Sequence, residues 1–343
     1  MTRDTPTRTV IITGGNRGLG YECARNVLSA NRDWQVILAS RNQQRATGAA
    51  SALSAETRNG NISTLELDLA SLNSVRRFAE TVCNRLDTDT LPPLEALVCN
   101  AGIQQTTGTT YTEDGFELTF GVNHLGHFLL VNLLLDRIQS SGRVVFVSSG
   151  AHDPTEFWTR TVGMPAPELT DVQALAFPDE NPETDPGNLG QKRYTTSKLA
   201  VLLTAYELDR RLRALSTGVP IPRITSNAFD PGLMPGTGLA RDRGGVVRFL
   251  WNHVMPLLQM FPGVNSPKTS GSNLAWLVTE PALKTISGEY FVEREIAGSS
   301  LESHDEELAR RLWVESAKLV GLGDDVTGTS EDATISALNP GLS

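Results

Sequence analysis

The stretch "TGGNRGLG", residues 13–20, decides the fold. It follows "RTVIIT" (8–13), a β-branched, apolar run of the length of one buried strand. It leads into a segment that reads as a helix from about Gly18. A strand that ends in a glycine turn and opens a helix presents free backbone N–H groups to a phosphate. Gly14, Gly18 and Gly20 lie where the chain must turn sharply, approach a ligand and pack helix against strand. Thr13, Asn16, Arg17 and Leu19 share that turn and join the three glycines as cofactor-binding candidates.

Working outward, five more apolar runs alternate with helix-length segments: "QVILAS" (35–40), "STLELDL" (63–69), "ALVCNAG" (96–102), "GRVVFVSS" (142–149) and "RITSNAFDPG" (223–232). "GEYFV" (288–292) reads as a seventh strand. Alternation of this kind predicts an α/β fold: one Rossmann-type, doubly wound parallel sheet with helices on both faces. A single catalytic domain is expected over 1–325. It is interrupted by a Pro-rich, acidic insertion at 151–192 and by a substrate-side lobe at 235–270 that contains "FLWNHVMPLLQMF" (249–261). Residues 326–343 read as a polar tail.

The composition narrows the function. The 343 residues are 39% hydrophobic and 20% charged, as in a globular protein, and the net charge is −9. General attraction to nucleic acid or to an anionic membrane is not expected. Cys23, Cys83 and Cys99 form no CxxC or Cys/His cluster, which argues against a disulfide framework or a zinc site. An odd set of thiols and an N-terminus without a signal-type apolar run point to a cytoplasmic protein with no integral membrane segment. His124 and His127 form HxxH, but no third ligand stands nearby, so no metal is expected.

The second strand ends in "LASRN" (38–42). NAD sites place a carboxylate at this position; here it offers Arg41, with Arg17 in the glycine turn as a second cation. A guanidinium grips a 2′-phosphate where a carboxylate repels it, so the expected cofactor is NADP(H). Asp68 ends the third strand, beside Leu69, and is placed to accept from an adenine amino group.

In "RYTTSK" (193–198), Lys198 follows Tyr194 by one helical turn and shares its face. Hydride transfer at a carbonyl needs a matched proton transfer, and a phenol near pKa ~10 is a poor base at neutral pH. A neighbouring ammonium is expected to lower it by about 3 units. Tyr194 is then the acid or base, and Lys198 tunes it and holds the nicotinamide ribose. Ser149 is placed to hydrogen-bond the substrate oxygen, and Asn123 to anchor a water or the helix geometry near Lys198.

Together "TGGNRGLG", "CNAG" (99–102), "GVNHLGH" (121–127), "VSS" (147–149), "YTTSK" and "PGLMPGT" (231–237) resemble, in order, the motifs of the short-chain dehydrogenase/reductase family. The resemblance covers about residues 8–325. It implies a catalytic tetrad of Asn123, Ser149, Tyr194 and Lys198, with Ser148 as the neighbouring serine. It also implies that Asn100, Ala101 and Gly102 line the cofactor and that Pro231, Gly232 and Thr237 border the nicotinamide. "LDLASLNSVRRF", "YTEDGFELTFGVNHLGHFLL" and "LWVESAKLVGL" are similar to stretches of light-dependent protochlorophyllide reductases and of retinol-dehydrogenase-like enzymes. The pigment reductases carry a cysteine directly after the Pro-Gly pair, where this chain has Leu233, which has no proton to donate.

The leading expectation is therefore an NADPH-dependent oxidoreductase acting on a carbonyl or alcohol of an apolar small molecule. Reduction of a ring C=C bond in a tetrapyrrole is the alternative, and a non-catalytic NADP(H)-binding sensor is the third. A homo-oligomer is compatible with the sequence.

Overall fold

A computed structural model describes residues 5–179, 185–215, 224–234 and 263–323. The first half alternates strands and helices: β1 (Arg8–Thr13), α1 (Gly18–Ala30), β2 (Trp34–Ser40), α2 (Gln43–Thr57), β3 (Ile62–Glu66), α3 (Leu72–Asp87) and β4 (Leu94–Cys99). A long rod follows, made of α4 (Leu118–Phe120), a π-turn (Gly121–Leu125) and α5 (Gly126–Leu134). Then come β5 (Ile138–Val147), the short helices α6 (Phe157–Thr161) and α7 (Val172–Ala176), α8 (Pro186–Leu215) and β6 (Thr225–Asp230). The chain continues through α9 (Pro267–Thr279), β7 (Tyr290–Val292), β8 (Glu295–Ala297) and α10 (Glu306–Leu319).

The eight strands form one sheet in the order β3-β2-β1-β4-β5-β6-β7-β8. Every pairing is parallel except β7 with β8. The central strands are covered on both faces, so they read as continuous apolar runs rather than alternating ones. Val10, Ile11 and Ile12 of β1 are fully buried, as are Leu97 and Val98 of β4. On one face α1 and α9 pack Cys23, Val27, Leu274 and Val278 against Val10, Ile12 and Val98. On the other, α3, α5, α8 and α10 bring Val75, Phe78, Phe128, Leu199 and Trp313 against Ile11 and Leu97. In α3 the buried Val75, Phe78, Ala79 and Val82 follow the i, i+3, i+4, i+7 spacing of an amphipathic helix, and Ser71 caps its start.

Strand order reverses where β1 and β4 lie side by side, the crevice at which open α/β sheets hold ligands. The glycine turn and "NAG" leave the carboxyl ends of these two strands.

Three expectations are adjusted. The strand read as 63–69 ends at Glu66, which leaves Asp68 in the following loop. The insertion read as 151–192 holds α6 and α7 and already enters α8 at Pro186; residues 180–184 lie outside the described residues. An eighth strand closes the sheet through a hairpin whose turn puts Glu293 at a φ of 56°. The segment 235–262, most of the expected lobe, and residues 324–343, which include the expected tail, lie outside the described residues.

Among the described residues, Leu118–Arg137 is long and apolar enough to cross a membrane by length and composition. Most of it is buried within the protein, with Leu125, Leu129 and Leu130 at 0% exposure, so its apolarity serves the core.

Candidate active site

A cleft of about 860 Å³ runs across the carboxyl edge of the sheet. It is lined by Thr13, Gly14, Asn16, Arg17, Gly18 and Leu19 from the glycine turn, by Arg41 after β2, and by Asp68 and Leu69 after β3. Asn100, Ala101 and Gly102 line it after β4, Ser148 and Ser149 after β5, Tyr194 and Lys198 from α8, and Pro231 and Gly232 after β6. Gly20 and Asn123 are not among the lining residues but lie close to them: a Cβ on Gly20 would approach Asn100, and one on Gly102 would stand 3.5 Å from Asn123 Oδ1. Thr237 lies outside the described residues.

The cofactor end fits a dinucleotide on its own geometry. Gly14 and Gly18 take φ of +65° and +56°, the left-handed region that favours glycine. A Cβ on Gly20 would stand 2.6 Å from Asn100 Nδ2, so the turn closes only with glycine there. Helix α1 begins without a side-chain cap, which leaves its first N–H groups to a ligand. Thr13 ties the turn to β4: its Oγ1 accepts from the N–H groups of Asn100 and Ala101, both at 2.9 Å. Asn100 Nδ2 donates back to Thr13 O at 2.7 Å. Arg41 lines the cleft with Arg45, a residue the sequence reading left out although it stands one turn further along. Asp68 Oδ1 accepts from Ala70 N at 3.0 Å, which commits that oxygen to its own loop.

The chemical end is drier. Tyr194 and Lys198 are 8% and 5% exposed, and the ammonium lies 5.6 Å from the phenol ring centroid. Lys198 Nζ donates to Val147 O at 2.9 Å, which anchors it to the end of β5. Ser149 caps the turn after β5, where its Oγ accepts from Ala151 N at 3.2 Å, and its hydroxyl is also the hydrogen-bond partner of Tyr194. Ser148 points elsewhere and donates to Lys198 O at 2.9 Å. The two serines thus have separate partners: Ser149 faces Tyr194, and Ser148 faces the backbone of α8.

Asn123 sits in the π-turn of the long rod, and wide turns of this kind recur at functional positions. Its Nδ2 donates to Ile103 O and to Ser197 Oγ, each at 2.9 Å, and its Oδ1 accepts from Ile103 N at 2.8 Å. It therefore staples the loop after β4 to α8, one residue from Lys198. His127 extends the staple. Its Nδ1 meets Asn123 O at 3.1 Å, so Nδ1 must carry the proton, and Nε2 then accepts from Thr13 Oγ1 at 2.9 Å. His124 instead faces Ser316 and Thr204. The HxxH pair thus points to separate partners, and no cluster of three metal-ligating side chains occurs among the described residues.

The electrostatics correct one expectation. Burial pushes the Tyr194 phenol up to about 12; the Ser149 hydrogen bond opposes this and the Asp230 carboxylate adds to it. Burial pushes Lys198 down to about 8, opposed by Asp230. The sequence reading has the ammonium lowering the phenol, whereas in the dry cleft the loss of water raises it. Tyr194 therefore rests protonated. Burial also raises the thiols of Cys23 and Cys99, which makes them inert packing groups.

The fold and this cleft define a nucleotide-binding oxidoreductase. The model of the short chain dehydrogenase family matches residues 8–159. Human retinol dehydrogenase 13 is 36% identical over 92% of this chain and 86% of its own length. Protochlorophyllide reductase of Avena sativa is 37% identical over 91% of this chain and 99% of its own. The crystal structure of an uncharacterized protein from Mycobacterium Paratuberculosis superposes with a TM-score of 0.63 at 29% identity, over 93% of this chain and 96% of that one. The angucycline C-6 ketoreductase LanV with bound NADP shares the fold, with a TM-score of 0.60 at 22% identity, over 84% of this chain and 95% of its own. The chain belongs to the short-chain dehydrogenase/reductase family.

Proposed function

We propose that this protein is an NADPH-dependent reductase of a carbonyl group on an apolar small molecule. The observation that carries the reading is the meeting of Tyr194, Lys198 and Ser149 at the dry end of a cleft whose other end holds Arg17 and Arg41. The glycine turn, Arg41, Asn100 and Lys198 are the residues that would hold the dinucleotide, which when bound supplies the hydride. A carbonyl oxygen bound at this end would accept from Ser149 and Tyr194. As that oxygen gains negative charge, Tyr194 gives it a proton, a role that suits a phenol held protonated by burial. The Lys198 ammonium, fixed on Val147 O, stabilises the phenolate left behind. Ile103, Leu118, Val122, Val162 and Met164 line the remaining wall and favour an apolar substrate that excludes water.

NADPH likewise rests on Arg41 and Arg45, neither of which is held in an ion pair among the described residues. A panel of aldehydes and ketones, followed by loss of NADPH and NADH absorbance, tests the reading. Consumption of NADPH in preference to NADH supports it; no turnover of any carbonyl compound, with cofactor bound, contradicts it.

A second reading, light-driven reduction of a tetrapyrrole ring bond, draws on the match along nearly the whole length of the oat enzyme. Leu233 follows Pro231-Gly232 and offers no proton. Illumination of the protein with NADPH and protochlorophyllide decides it: unchanged absorption with the pigment bound removes this alternative.

A further inference from the structure

A buried carboxylate stands on the substrate side of the cleft. Asp230, the last residue of β6, is 8% exposed and lines the same cavity as Ser149, Tyr194 and Lys198. Its Oδ2 accepts from the Tyr290 hydroxyl at 2.9 Å, and its Oδ1 accepts from Gly232 N at 2.8 Å. The approach to the reacting end is close: a Cβ on Gly150, the residue after Ser149, would stand 3.1 Å from Oδ2.

No Lys, Arg or His nitrogen pairs with Asp230 among the described residues. A carboxylate offers about four acceptor sites, and two are filled by these bonds. Tyr290 is a fixed donor, because burial and the neighbouring carboxylate hold its phenol well above the ordinary value. The field of Asp230 reaches both Tyr194 and Lys198. The nearby acids on the same wall have the same sign, and their oxygens serve local turns: Asp153 Oδ1 accepts from Thr155, and Glu156 Oε2 from Thr159 N.

The cleft is therefore apolar on one side and carries a buried carboxylate acceptor on the other. Resting on the reductase reading for where the carbonyl lies, we propose that Asp230 sets the substrate class. Apolar carbonyl compounds that carry a hydroxyl or ammonium donor are accepted, and those that carry a carboxylate are rejected. A donor on the substrate meets a preformed acceptor; a second carboxylate must be desolvated beside a like charge.

The test compares 4-(hydroxymethyl)benzaldehyde with 4-carboxybenzaldehyde under NADPH, with wild type, Asp230→Asn and Asp230→Ser. Wild type should favour the hydroxymethyl compound in kcat/KM by roughly 10-fold or more. Either variant should bring the ratio within about threefold by gaining on the acid. A wild type that treats the two alike or prefers the acid overturns the proposal without any variant. So does a ratio that survives in a folded, active variant.

Calorimetric titration of benzyl alcohol and benzoate separates this proposal from the reductase reading. If no carbonyl compound of the panel, these two aldehydes included, is reduced with cofactor bound, but wild type binds the alcohol at least tenfold tighter and Asp230→Asn abolishes the difference, the reductase reading falls and the selectivity stands. Equal binding, or no binding of either compound, overturns the selectivity.

Discussion

Tyr194 and Lys198 both titrate away from their ordinary values because both have lost water. Their spacing was legible from five letters of sequence; the direction of the phenol's shift was not, because it depends on the walls that fold over it. Lys198 at about 8 gives the pH dependence a sign. Below that pH the ammonium is present and supports proton donation; above it the charge is lost. The kcat of carbonyl reduction should fall as pH rises through about 8, and Lys198→Met should remove that limb along with about two to three orders of magnitude of rate. A flat profile from pH 6 to 9 would contradict the assignment. In the proposed function, Arg41 carries the cofactor choice. Arg41→Glu should raise the KM for NADPH by roughly 10- to 100-fold, the worth of one charge-assisted contact, and leave NADH equal or better. Unchanged discrimination between the two would remove Arg41 from the 2′-phosphate site. Arg45 escaped notice because nothing in "RNQQR" (41–45) tells a cleft-facing cation from a solvated one.

At the scale of elements, the π-turn in the long rod connects the parts of the site. It presents Asn123 to the loop after β4 and to α8, and through His127 it reaches Thr13 at the end of β1. "GVNHLGH" gave a reason to single out Asn123, but the role of His127 required knowing that β1 and the rod meet in space. Burial holds His124 down at about 3 and His127 at about 4. On unfolding both return to about 6.5, so below that pH the unfolded chain takes up protons that the folded chain excludes. Stability should fall as pH drops from 7 to 5, by about 2 kcal/mol for each histidine. Urea unfolding at the two pH values checks this, with His127→Gln expected to remove about half of the two histidines' loss. Equal pH dependence in the variant and the wild type would show that His127 is not held neutral.

The whole molecule brings to one cleft residues that lie far apart in the chain: the glycine turn at its start, Ser149 in the middle, Tyr194 and Lys198 on a helix after a long insertion. The parallel sheet was readable because its strands are buried on both faces and so spell continuous apolar runs. The short β8 and the helices within 151–192 were not, since three- to five-residue elements carry too little periodicity to stand out. On the proposed function, these contacts serve to set a protonated phenol beside a bound dinucleotide. Tyr194→Phe tests that most directly, through single-turnover reduction of a carbonyl substrate alongside fluorescence titration of NADPH. The account predicts NADPH affinity within about twofold of wild type and a hydride-transfer rate lower by about two to four orders of magnitude. A variant that binds NADPH and reduces the substrate at the wild-type rate would contradict it.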